Sequence, residues 1–519
     1  MTTTPEIRTM ADGGWEAQAA DCTHRIEELN KKVAGAIAAL ERGDETMAGV
    51  DPAAVTKEIA LQYMRLGDLY LARPPEAASN KKSPTPPEKA AVCYEAALKF
   101  DPQLWGARMN LLKTKKTVTP DDTTKAFLLG MLAAQPDNVG FLNQLGRLHH
   151  KNYEISAALA CFGRAAEIAP DNADSLYWLA GVQQQAGDAA AAAKSYRRAA
   201  QIRPVICLSA GKAEKPCAAL LLFAPFAGNT PTEYLMADTP FALNIAPLFP
   251  DLAPDVAVLK GSGDVVVNFV SDADQGRAIL PQAERLVAEL GLPVVNPPEK
   301  IRRTTREGVA ALLAGIPDLR MARIVRVAAG EPMPELPFEG PLLARPAGTH
   351  GGDRFEKFDR AADAEKFIRE HPQDDHYLME YVDYQSPDGH FRKYRLIFTG
   401  GKILPYHLAI GDGWKVHHVT TNMFRTPWMQ EEEKAFLAAP EKVFAPKHFA
   451  ALRAAGKALA LDYFGIDCAL DKSGNLLVFE ANAAMLVHQH NDDMPYKIPY
   501  VAAIRQAFQE MVSARAAGK

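Results

Sequence analysis

GIDCALDKSGNLLVFEAN, residues 465–482, is the stretch on which the reading of this chain turns. Two apolar runs, 466–470 and 476–479, flank the turn Asp471-Lys472-Ser473-Gly474, which is the pattern of a β-hairpin. Asp467 sits on the first run, and Glu480 and Asn482 close the second. Glu480 and Asn482 are two apart, so on a strand they share a face. A carboxylate that continues a buried strand is costly unless its charge is compensated. Oxygen-only ligands on such a hairpin suit Mg²⁺, which takes a few carboxylates and keeps positions open for phosphate oxygens. The competing reading is a hairpin whose acids face solvent.

At 519 residues the chain is too long for one core, and two or three domains are expected. Hydrophobic residues at 48% and charged residues at 23% place it with ordinary globular proteins. A net charge of −5 argues against binding to nucleic acid or an anionic membrane. The basic cluster Arg392-Lys393-Tyr394-Arg395 is too short for a nucleic-acid tract. The six cysteines are scattered without a CxxC pair, which points to a reducing compartment rather than a disulfide or structural-zinc framework. The first residues lack an apolar h-region, and no stretch reaches transmembrane length. A cytoplasmic protein without nucleic-acid or membrane partners is expected.

Prolines recur at Pro102, Pro136, Pro170 and Pro204, each 34 residues from the last. Leu111, Leu145 and Leu179 keep the same step, as do Tyr94, Leu128, Phe162 and Tyr196. Paired helices that bury an apolar face only by stacking on their neighbours have this period. Each unit ends where its proline cannot continue the helix. An irregular unit opens near Asp51, and its two helices are separated by residues 74–87, PPEAASNKKSPTPP, read as an exposed loop. Residues 1–50 are expected to cap the array, with 15–42 forming an amphipathic helix or helix pair. Residues 51–204 resemble a tetratricopeptide repeat (TPR) array. The resemblance implies a concave groove for a peptide or protein partner; self-association is the other reading.

After Pro204 the composition changes. Residues 205–216 read as a linker, followed by apolar runs at 217–225 and 265–269, a helix at 274–290 and a short strand at 291–295. This alternation predicts a small α/β subdomain with a parallel sheet over 217–298. Residues 342–346 form a strand that places Arg345 just before the loop 347–352, which carries Gly348, Gly351 and Gly352. Such a loop lets backbone N–H groups approach phosphates, although turns also use glycine for steric reasons. An apolar strand over 377–382 carries Glu380, and an arginine-bearing strand runs through Arg392 and Arg395 to a turn at 399–402.

In this order, the cation before a glycine loop, the Met379-Glu380-Tyr381-Val382 segment, the arginine strand and the Asp467…Glu480-x-Asn482 hairpin resemble the ATP-grasp superfamily. The resemblance covers about residues 216–519, with 299–519 as the ATP-binding subdomains, and its most specific part is the hairpin. It implies ATP between two α+β subdomains, with two Mg²⁺ ions, for which Mn²⁺ can substitute, bridging the phosphates to Asp467, Glu480 and Asn482. It also implies that Met379, Glu380, Tyr381 and Val382 hold the adenine and that Arg395 contacts the transferred phosphate. The family usually places two lysines on the nucleotide phosphates; Arg306 and Arg345 stand there in this chain, with Lys300 competing for the first place. Arginine keeps the charge but is not equivalent to lysine.

Many relatives follow the metal asparagine with proline and glycine, whereas this chain continues Ala483-Ala484-Met485, so their substrates do not carry over. Ten of the 13 histidines lie after residue 340. His407, one of His417 and His418, His488 and His490 suggest a polar wall, with His407 and Lys415 on the acceptor side. Their expected roles are substrate hydrogen bonding or accepting a proton from an amine. Zinc is the rival, but neither a thiolate nor a His-x-x-x-His pair supports it. The expected fold is multidomain: an all-α TPR solenoid, then an α/β and α+β ATP-grasp domain. The expected function is a ligase that joins a small-molecule or peptide carboxylate to an amine through an acylphosphate, with homodimers common among such enzymes. The alternative is a TPR adaptor with a nucleotide-binding but catalytically weak second half.

Overall fold

The computed structural model describes residues 12–41, 51–72, 85–114, 119–211, 217–230, 232–349, 352–416, 421–488, 491 and 493–518. It divides into two compact units, Met1–Ile202 and Arg203–Lys519. The expected order, a helical array followed by a mixed α/β half, is the order found. Among the described residues no helix is long and apolar enough to cross a membrane.

The first unit is helical throughout its described residues. A single helix, Asp12–Glu41, buries Ala19, Cys22 and Ile26 against Leu66 and Cys93. The regular pairs are Trp105–Lys113 with Pro120–Ala134, Val139–Lys151 with Ile155–Ile168, and Ala173–Gln185 with Ala189–Ile202. The 34-residue period appears as repeated contacts. Asn138 and Asn172 each cap a helix, accepting from Phe141 N at 3.1 Å and Ser175 N at 2.9 Å. Arg164 meets Asp137 at 2.7 Å, and one period later Arg198 meets Asp171 at 2.6 Å. Tyr94, Leu128 and Phe162 are all fully buried.

The loop expected at 74–87 is shorter at its end. Pro86 and Pro87 open the helix Pro86–Phe100, where Thr85 N donates to Glu88 Oε2 at 2.7 Å. Proline suits this position because the first-turn N–H groups have no intrahelical partner. Residues 73–84 lie outside the described set.

Among its described residues the second unit holds three sheets. The first has β1 (Ile206–Ser209), β2 (Ala218–Phe223), β3 (Ala242–Pro247), β4 (Val265–Asn268) and β5 (Val294–Val295), in the order β1-β3-β2-β4-β5. It is parallel except for β1, which runs antiparallel along β3. The linker expected at 205–216 is therefore corrected: its apolar start is an edge strand. The helix expected from 274 begins at Leu280, because Asp272 Oδ1 first accepts from Asp274 N and Gln275 N and holds a turn there.

β6 (Leu319–Met321) belongs to the third sheet, after which the chain builds the second: β7 (Ile324–Val327), β8 (Leu342–Pro346), β9 (Glu356–Phe358) and β10 (His376–Glu380), ordered β7-β10-β8-β9 and antiparallel. The third is completed by β11 (Phe391–Thr399), β12 (Lys402–Gly411), β13 (Tyr463–Leu470) and β14 (Leu476–Asn482), ordered β12-β11-β13-β14-β6. The hairpin read from the sequence is β13–β14. Asn296, at φ 54°, ties the first sheet to the third: its side chain accepts from Asp462 N and Tyr463 N at 2.9 Å and donates to Tyr463 O at 2.7 Å.

Two substitutions test this packing. A Cβ on Gly146 would stand 2.7 Å from Phe162 Cζ, on a buried ring stacked against Trp178. Gly146→Ala is expected to destabilise the first unit by about 1–3 kcal/mol through overpacking, and a thermal melt at or above the wild-type midpoint would contradict it. Asn296→Ala strands the buried Tyr463 N–H and the half-buried Asp462 N–H and is expected to cost about 2–4 kcal/mol, read as a lower midpoint in calorimetry.

Candidate active site

The third sheet builds the site by register. Across neighbouring strands His407 on β12 pairs with Arg395 on β11, Arg395 with Asp467 on β13, and Asp467 with Glu480 on β14. Directly paired residues point to one face, so four residues from 395 to 480 form a transverse row. Bulges lie beside it on both hairpins: the register shifts between Arg395 and Leu396, leaving Tyr406 unpaired on β12, and between Asp467 and Cys468, leaving Phe479 unpaired on β14. Such an extra residue re-aims the side chains around it.

Asp467 is 3% exposed. Arg395 grips it with two bonds, Nε–Oδ1 at 2.6 Å and Nη2–Oδ2 at 3.0 Å, and Lys393 Nζ adds a third contact at 3.0 Å. Burial works to raise the carboxyl's pKa, but Arg395 and then Lys393 outweigh it and hold the group well below the carboxylate range. Glu480 Oε2 receives Arg306 Nη2 at 2.9 Å. Arg306 opens the helix Arg306–Leu313, which Thr305 caps by accepting from Gly308 N at 3.2 Å. Asn482 Nδ2 donates to Glu480 Oε1, while Asn482 Oδ1 is buried without a hydrogen-bond partner. Among the described residues no three His, Cys, Asp or Glu side chains gather as a metal cluster. The oxygen set here is two acids and an amide.

These groups line a cleft of about 1010 Å³. Arg345 reaches it from β8, buried at 5% exposure, bonded to Thr349 Oγ1 at 3.1 Å and lying over the Phe355 ring. Burial, with Arg306 adding to it, pulls its pKa down to about 10. Gly352, at φ 81°, lines the cleft beside Lys415, whose Nζ donates to Phe355 O at 3.0 Å. Gly348, at φ 73°, lines a small side pocket, and its carbonyl accepts from Gln275 Nε2 at 2.6 Å. Gly351 lies outside the described residues, as do His417, His418 and His490. Lys300 is not among the residues lining the cleft, whereas Arg306 is.

The strand read over 377–382 stops at Glu380, and Tyr381 and Val382 leave the sheet. Met379, Glu380, Tyr381 and Val382 all line the cleft, together with the apolar Ile324, Leu343 and Trp414. Glu380 is held at the strand end by Arg320 at 2.9 Å and Arg323 at 3.1 Å, and their charges and bonds overcome burial to lower its pKa. Arg392 points elsewhere, to Glu432 and Asp388.

Several cleft groups escaped the sequence reading. Lys393 was seen only as part of a basic cluster. Lys497, 5% exposed, lines the cleft, as does His488, which the sequence reading names; Glu433, fully buried, stands behind His407. Glu433 had a signal: it falls on the apolar stripe Met429, Phe436 and Leu437 of the helix Pro427–Ala438.

Residues 173–205 match the model of a tetratricopeptide repeat. The chain matches no curated protein sequence. Among solved structures it is similar to the VanG D-Ala:D-Ser ligase of Enterococcus faecalis, 12% identical with a TM-score of 0.36, over 58% of this chain and 100% of that one. It is similar also to a RimK-domain ATP-grasp protein of Sphaerobacter thermophilus, 13% identical with a TM-score of 0.36, over 57% of this chain and 100% of that one. A third is D-alanyl-alanine synthetase A of Vibrio cholerae, 12% identical with a TM-score of 0.37, over 59% of this chain and 99% of that one. The helical first unit thus includes a tetratricopeptide repeat, at the pair Ala173–Gln185 and Ala189–Ile202.

Proposed function

We propose that the second unit is an ATP-grasp ligase that uses ATP to activate a carboxylate and then joins it to an amine. The observation that supports this most is the charge row: one cleft gathers the acid, acid and amide of the hairpin, the cations Arg306, Arg345, Lys393, Arg395 and Lys415, and an apolar slot. A nucleotide needs those three surfaces together. The slot flanks residues 379–382, where backbone leaving the sheet offers hydrogen-bonding groups to an adenine edge.

The oxygen donors Asp467, Glu480 and Asn482 suit Mg²⁺. The buried Asn482 Oδ1, which has no protein partner, favours a ligand at that point. Mg²⁺, when bound, would neutralise phosphate charge and orient the phosphoryl group for transfer. Arg306, from a helix start, and Arg345, from β8, both line the cleft and would hold phosphate oxygens through charge-assisted bonds. Lys415, which lies beside Gly352, would serve the phosphates under this reading, the acceptor side being the other role open to it. Arg395, fixed at the centre of the row, would stabilise charge developing on the transferred phosphoryl group, so that the protein contributes by positioning and electrostatics. The repeat unit would recruit a peptide or protein partner.

Asp467→Asn, Glu480→Gln and Asn482→Ala are each expected to lower ADP release, measured with Mg²⁺, ATP and pooled amino acids, by about 10²–10³-fold, as the loss of one preorganised contact does. Circular dichroism should show each variant folded, and a metal chelator should abolish the wild-type signal. ADP release undiminished in all three would sink the assignment.

A further inference from the structure

The protonation state of His407 is set from behind by groups that the nucleotide site does not use. Glu433 is fully buried, a position a carboxylate holds only when its charge is well met. It is met four times. Oε1 accepts from His407 Nδ1, from Leu408 N at 3.2 Å and from Lys497 Nζ at 3.3 Å, and Oε2 accepts from the Tyr496 hydroxyl at 2.6 Å. Against the effect of burial, His407, Lys497 and Tyr496 bring the Glu433 pKa down to about 2, so the group stays ionised. An ionised acceptor on Nδ1 places the neutral ring's proton there.

Lys497 Nζ lies 3.1 Å from the same Nδ1 and 3.3 Å from Glu433 Oε1, and of the two the ionised carboxylate is the stronger acceptor for its protons. Burial, followed by the Lys497 charge, lowers the imidazole pKa to about 4, against the pull of Glu433. Arg395, the register partner of His407, also disfavours a second proton. The remaining ring nitrogen, Nε2, is buried and has no hydrogen-bond partner, on a residue that lines the cleft. The ring is therefore an unused acceptor held in one tautomer.

We propose that His407 Nε2 accepts the proton of an amine nucleophile, and that Glu433, Lys497 and Tyr496 are positioning residues that keep this nitrogen unprotonated. The inference rests on the ligase reading and names the nucleophile: an amine with at least one N–H to give up. The amine nitrogen attacks the carbonyl carbon of the acylphosphate, a C–N bond forms, and the C–O bond to phosphate breaks with its electron pair leaving on phosphate. The N–H proton passes to Nε2, and the imidazolium, steadied by Glu433, returns it to the departing phosphate or to water. General-base assistance of this kind contributes about 10²–10⁴-fold.

Two measurements on the full chain test it. Nitrogen NMR of histidine-labelled protein, with His407→Gln to assign the signal, is expected to show a neutral ring protonated at Nδ1 at neutral pH; Glu433→Gln should disturb that state. A doubly protonated ring, or a proton on Nε2, overturns the proposal. The second assay supplies ATP, Mg²⁺ and the twenty amino acids as both carboxylates and amines, with and without hydroxylamine, a strong nucleophile that traps acylphosphates with little need of a base. In His407→Gln, amide formation should fall by about 10²–10⁴-fold while hydroxamate formation falls less than tenfold. Equal losses of both products, or no loss of either, overturn the acceptor role while leaving the ligase reading standing. A wild-type protein that forms no hydroxamate removes the ligase reading, and the acceptor role with it.

Discussion

Asp467 is buried on the central strand of the third sheet, a place it can hold only if its charge is met. Arg395 meets it from the neighbouring strand with two parallel bonds, and Lys393 adds a third contact. A carboxylate at that depth is costly without a counter-charge, and the two cations, 20% and 24% exposed at their side chains, supply it. The same logic extends along the sheet: Glu480 beside Asp467 is answered by Arg306 from a helix N-terminus, and behind the neutral His407 the buried Glu433 is answered by Lys497. The row is thus a chain of compensated charges in which each compensation comes from a different element.

This explains why irregularities cluster there. A regular pair of hairpins would alternate in and out, and the bulges beside Arg395 and Asp467 break that alternation at the row itself. The second sheet is held over the row by a separate ion network: Arg326 on β7 reaches Asp274 at 2.7 Å and Asp375 at 2.8 Å, and Tyr377 on β10 donates to Asp274 at 2.8 Å. Asp274 belongs to the first-sheet region, so all three layers take part in enclosing the cleft.

Much of the architecture was legible because it is local. A 34-residue period is visible wherever helices stack on copies of themselves, and the hairpin announces itself by apolar runs around a Lys-Ser-Gly turn. What could not be read depends on pairing between distant segments. That Arg395 falls beside Asp467 follows from register between strands some seventy residues apart in sequence, and that Glu480 falls on its other side follows from a bulge that shifts the hairpin. Glu433 is the last of three consecutive glutamates, and only the helical phase set by Met429 and Phe436 turns it inward. Lys497 precedes a helix whose stripe, Val501 and Ile504, is ordinary core. Residues 206–209 resembled a linker because a four-residue edge strand carries too little pattern to separate it from extended coil.

Glu380 and its two arginines acquire a meaning from the path of the chain. The chain leaves the third sheet at Met321, builds the entire second sheet, and rejoins the third at Phe391. Arg320 and Arg323 stand on the outgoing crossing, and Glu380 stands at the start of the returning one. The four-stranded sheet is therefore a cassette hung from a two-stranded neck, and these ion pairs pin both strands of the neck together. The paired neck therefore holds Glu380 in one place at the wall of the cleft.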